Sequence, residues 1–187
     1  MHELDERDRQ RDVSRSRQRT PRLARYQLDV VGAHVADVVD SAGGWLFDRV
    51  MAGWDVRVAV ADTGDLAALH ILGVQPVALS AMFAGASTPT ALAVAGAVCR
   101  TDDRLRDVLA ASVRSARTEV LAWGELWPPS GGRHGAEVRH ELSAAARVFK
   151  AQAAFAAGLD AKVAPFEVFR SYGQSVRTDY PDLLPVG

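Results

Sequence analysis

The residues whose types and spacing could do chemistry begin at Asp40-Ser41-Ala42-Gly43-Gly44. Adjacent glycines, just ahead of a helix expected from about Trp45 to Ala52, would present backbone N–H groups to an anion. A helix start offers unpaired N–H donors and partial positive charge, and only glycine lets a phosphate come that close. A strand expected over Val56–Ala61 ends at Asp62, roughly 20 residues beyond the glycines, where a carboxylate can accept hydrogen bonds from a ribose. Ser41, Gly43, Gly44 and Asp62 are thus the candidate ligand-binding residues, and a phosphate-bearing small molecule is the candidate partner. Asp40 opposes the idea, because its charge would stand beside the phosphate.

If His34–Val39 is a strand, the segment from Val35 to Leu79 reads strand, Gly-containing turn, helix, strand, acid. That order resembles the opening of a Rossmann-like nucleotide-binding fold. The resemblance implies a parallel sheet and a phosphate at the first turn. It departs from the fingerprint where specificity lies, since the spaced G-x-G-x-x-G is absent and only Gly43-Gly44 stand there. No particular cofactor follows from it.

Other constellations are weaker. Glu137-Val138-Arg139-His140 reads as E-x-x-H on a helix, but a di-iron bundle needs a second copy, so no metal site is expected. His134 stands in a Gly-rich loop, and His70 lies beside an apolar stripe. Ser41 has no G-x-S-x-G elbow around it. Cys99 follows an apolar run and reads as a small buried hydrophobe. Trp123 and Trp127 are four apart on an expected helix, a partner surface if exposed.

These residues need elements to position them. Leu28, Val31, Val35 and Val38 keep a helical beat, so 26–39 can be read as helix or as strand. Val56–Ala61 is the best strand, with β-branched residues alternating with smaller or polar ones. Asp65 can cap a helix through Leu66, Leu69 and Leu72, and Gly73 can end it before a strand over Val74–Leu79. Thr90–Cys99 is a helix or a buried strand. Two long amphipathic helices are expected over about 102–127 and 136–157, and a short one after Pro165. The expected fold is α/β and Rossmann-like, a small parallel sheet with a βαβ unit at about 35–79, covered by those two helices. Met1 to Arg25, rich in arginine and poor in apolar residues, reads as a disordered arm. Residues 26–178 form the domain, and 179–187 an extended tail.

Composition bounds the rest. The 187 residues suit one domain, and the net charge of −1 calls for neither nucleic acid nor membrane. Nucleic acid would be held only weakly, by the arm. Only Lys150 and Lys162 are lysines among the 22 basic residues, a bias that fits a bacterial high-GC gene. A single cysteine excludes an internal disulfide and fits the cytoplasm. The uncharged stretch Ile71–Cys99 is interrupted by Pro76, Gly85 and Pro89, so no membrane span is expected. The reading favoured is a non-enzymatic binding or regulatory domain. The alternatives are a small enzyme acting on a nucleotide or phosphorylated substrate, and a homo-oligomer joined through its long helices.

Overall fold

A strand inside a parallel sheet has both faces covered, so its apolar residues run on without alternating. Leu28, Val30 and Val31 are each fully buried in β1 (Gln27–His34). The structure, a computed structural model, describes residues 26–62, 64–84, 88–124, 135–172 and 183–186. Helix α1 (Val35–Met51) starts directly after β1. The helix-or-strand alternative over 26–39 thus resolves into both, divided at His34. The expected strand His34–Val39 and the expected turn at Gly43-Gly44 are corrected: Val35, Val38, Val39, Ala42 and Trp45 are buried residues of one helix. So tight a junction requires Gly32, where a Cβ would collide with the side chain of Val38.

The next elements are β2 (Asp55–Asp62), α2 (Ala67–Ile71), β3 (Gln75–Pro76), α3 (Leu79–Met82) and β4 (Ala91–Ala95). After these come α4 (Gly96–Thr101), α5 (Asp103–Ser115) and β5 (Glu119–Trp123). The chain then forms β6 (Ala136–Glu141), α6 (Ala144–Ala156), β7 (Phe166–Ser171) and β8 (Leu184–Pro185). Val56–Ala61 is borne out as the body of β2, and Thr90–Cys99 divides between β4 and α4.

Each of the two expected long helices is a shorter helix joined to a strand. Helix α5 stops at Ser115, because Ala116 takes a left-handed φ of 52°. Val120 and Leu121, which continue the apolar beat of α5, belong to β5. Residues 136–141 are β6, and Ser143 then caps α6 by accepting the Ala146 N–H at 3.0 Å. The helix expected after Pro165 is instead β7, and Leu184–Pro185 of the expected tail pairs with β6. The arm over residues 1–25 lies outside the described residues.

The described strands form one eight-stranded sheet in the order β3-β2-β1-β4-β5-β7-β6-β8, a mixed α/β fold. The first five are parallel; β7, β6 and β8 join antiparallel. The chain steps one way from β1 to β2 to β3 and the opposite way from β4 to β5. Right-handed crossovers therefore put α1 and α2 on one face and α4 and α5 on the other. Helix α6 packs on α1 and α2, which extends the first layer over β7. No helix among the described residues is long and apolar enough to cross a membrane.

Candidate functional site

Where neighbouring crossovers leave in opposite directions, a crevice opens beyond the carboxyl ends of the strands. Here that switch lies between β1 and β4, and the junction of β1 with α1 stands in it. His34 is the N-cap of α1, and its Nδ1 accepts the Asp37 N–H at 3.1 Å. An Nδ1 that accepts carries no proton, so the neutral imidazole bears its proton on Nε2. His34 is exposed.

Asp37 is held on both oxygens. Oδ2 accepts the Ala33 N–H at 3.0 Å, and Oδ1 accepts the indole N–H of Trp123 at 3.0 Å. A carboxylate so occupied fixes the ends of β1 and β5 relative to each other. Asp62 ends β2 directly beside His34 in the parallel register, and it is exposed. Among the described residues no group of three or more His, Cys, Asp or Glu could hold a metal ion.

The glycine pair has another role. Gly43 and Gly44 are buried inside α1, and a Cβ on Gly44 would come within 2.5 Å of Leu142. The anion at these N–H groups is internal. Glu167, from β7, accepts Gly44 N–H at 2.9 Å and Trp45 N–H at 2.8 Å. Lys150, from α6, completes the cluster, donating to Glu167 at 2.7 Å and to the Asp40 carbonyl at 2.5 Å. Burial pushes the Glu167 carboxyl up, while Lys150 and the two N–H donors pull against it. Ser41 is half-buried in the same helix, away from Asp62, so the structure does not gather the four predicted residues at one turn.

The remaining candidates are scattered. Trp123 is buried in β5 and offers no partner surface, while Trp127 and His134 lie outside the described residues. Glu137 and His140 lie on a strand, three apart and so on opposite faces. His140 Nε2 meets Asp48 at 2.9 Å, whereas Glu137 is exposed. Burial pushes the Cys99 thiol up to about 11, which removes it as a nucleophile. Sequence reasoning missed the pair His34 and Asp37. The signal available was a histidine followed three residues later by an aspartate, just after an apolar strand, the pattern of a capped helix start.

A second feature adjoins the crevice. A hollow of about 340 Å³ lies over the end of β5, lined among others by Ala122, Gly124, Glu137, Val168, Arg170 and Tyr172.

No protein-family model matches the chain, and no curated protein matches it. Solved structures do. A deacetylase of the teicoplanin biosynthesis pathway is 17% identical with a TM-score of 0.52, covering 68% of this chain and 82% of that one. The zinc-inhibited form of a teicoplanin deacetylase is 16% identical, also at 0.52, with the same coverage of 68% and 82%. An antimicrobial pseudoaglycone deacetylase is 17% identical at 0.50, covering 69% and 80%. The chain has the fold of these deacetylases. That finding corrects the expectation of a non-enzymatic binding domain, because the solved proteins of this fold named here are enzymes. The nucleotide-binding turn behind that expectation is the interior of a helix.

Proposed function

We propose that this protein is a deacetylase-like hydrolase that removes an acetyl group from a carbohydrate-type amide. The reading is carried by His34, exposed at the switch-point crevice with one ring nitrogen fixed by a backbone N–H. The kinship of fold with the three deacetylases supports it.

The chemistry divides among three side chains. Water attacks the carbonyl carbon and passes its proton to the Asp62 carboxylate. The carbonyl oxygen gains charge and takes the hydrogen bond of His34 Nε2–H, a preorganised donor of the kind that stabilises an oxyanion. Collapse breaks the C–N bond. The departing amine takes the proton back from Asp62, leaving acetate and the free amino sugar. Asp37, with both oxygens occupied, positions His34 and Trp123 and does not react.

The test is acetate release from N-acetylglucosamine and its oligomers. His34→Ala should lower kcat by about 10²–10³-fold, the usual effect of losing one oxyanion donor, with an unchanged unfolding transition. Asp62→Asn should lower kcat by about 10²-fold or more, the usual contribution of a positioned general base. If no acetylated sugar releases acetate, or His34→Ala is as active as the wild type, the reading is wrong.

A further inference from the structure

The hollow over β5 has a construction of its own. Ala122 pairs with Arg170, and Arg170 with Glu137, across antiparallel ladders. Directly opposed residues share a face, so Ala122, Glu137 and Arg170 stand together, with Val168 two positions along on the same side and Gly124 just past the end of β5. Ala122 and Gly124 are too small to fill the floor. Val168 is exposed on its rim, and Tyr172 adds an aromatic wall.

The arginine is oriented but loosely paired. One Nη donates to the Gly135 carbonyl at 3.2 Å. The other is 3.7 Å from Glu137, with about a third or more of each side chain exposed. Charge-assisted bonds between guanidinium and carboxylate run at about 2.7–2.9 Å. The same sheet contains such a pair: Arg57 grips buried Asp29 with two bonds of 2.8 and 2.7 Å. Beside it the Arg170–Glu137 contact is long, single and solvated, and is easily exchanged. Arg139, the next cation along β6, lies over the ring of Phe166.

We infer that this hollow is a binding subsite for a carboxylate carried on an apolar or sugar unit, with Arg170 releasing Glu137 to take it. Neighbouring strands are about 4.8 Å apart, so β5 stands roughly 10 Å from the strand that carries His34. The acid therefore belongs to a unit adjoining the one that bears the acetyl group. This assignment of substrate class rests on the hydrolase reading, but the subsite can be tested without turnover.

The probe is 3-phenylpropionate, an apolar acid with no acyl group to lose, against its neutral amide, 3-phenylpropionamide. Both are titrated into the full-length isotope-labelled protein and followed by NMR. The acid should shift the amide signals of Ala122, Gly124, Val168 and Tyr172 saturably, and the neutral amide should bind at least tenfold more weakly. Arg170→Gln should weaken the acid about tenfold, and Arg170→Lys should restore part of the loss. Glu137→Gln is the decisive variant: it removes the competing carboxylate and should tighten binding several-fold. Equal binding of acid and amide, shifts confined to another surface, or a Glu137→Gln variant that binds no better would each overturn the proposal. In acetate-release assays, Arg170→Gln should raise KM for a disaccharide of N-acetylglucosamine and a uronic acid relative to the same disaccharide with a neutral second sugar and leave kcat alone; an equal effect on both disaccharides would refute the subsite's role in hydrolysis. Acid binding with no turnover of any acetyl sugar would sink the hydrolase and leave the subsite standing.

Discussion

The parallel and antiparallel parts of the sheet are held by different forces. In the parallel part, β1, β2 and β4 are packed between helices, and β4 is buried at every position. In the antiparallel part, β6 and β7 bury only alternate residues. What they bury includes polar groups: Glu167 beneath Lys150, and His140 against Asp48. The difference shows where the fold can afford an open surface. Apolar burial holds the strands whose ends form the crevice, with the Arg57–Asp29 pair joining β1 to β2, while buried polar contacts tie β6 and β7 to α1 from one side and leave their other face open.

The largest effect should come from charging the parallel core. Val58, 1% exposed in β2, replaced by Asp would bury an uncompensated carboxylate, which costs several kcal/mol. Val58→Asp protein should show no cooperative urea transition. The matching change on the open face, Val168→Asp, should stay within about 0.5 kcal/mol of the wild type. If the two behave alike, the contrast is false.

Glu167→Ala comes next. It leaves Lys150 buried without its partner and should cost about 3–5 kcal/mol by urea unfolding. Replacing both Lys150 and Glu167 by Met should recover much of that, because breaking a buried pair costs more than removing it.

Cys99 tests the parallel part from its interior. Its thiol is raised from 9.0 to about 11 by burial. Between those values the unfolded chain has lost the thiol proton and the folded chain keeps it, so stability falls as pH rises. The loss should approach about 3 kcal/mol, and Cys99→Ala should flatten this part of the pH–stability profile. Asp37→Asn is the smallest. An amide can still accept the Trp123 N–H but cannot also accept that of Ala33, so about 1–2 kcal/mol should be lost. Tryptophan fluorescence should report the loosened indole.

The legibility of the sequence is uneven even within the parallel part. Val56–Ala61 announces itself because β2 alternates. The boundary between β1 and α1 does not, since Leu28, Val31, Val35 and Val38 keep a helical beat across it. Ala116 ends α5 without the glycine that usually marks such a stop, so Val120 and Leu121 read as more helix. Gly43-Gly44 reads as punctuation because glycine usually breaks helices. Its purpose, close approach of Leu142 and access for Glu167, depends on residues about a hundred positions away. Asp62 is legible from its place after a strand. His34 and Asp37 are not, because nothing local reveals that the crossovers after β1 and β4 leave in opposite directions.

The reach of Glu167 back to α1 bears on how the chain comes together. Its carboxylate meets N–H groups 122 and 123 positions earlier. Closing so long a loop is entropically costly and slow. As the chain leaves the ribosome, the middle of α1 waits for β7, which emerges more than a hundred residues later. A nascent chain ending before Phe166 would hold Lys150 under α1 without the Glu167 counter-charge, a state that chaperones would be expected to shelter until β7 emerges.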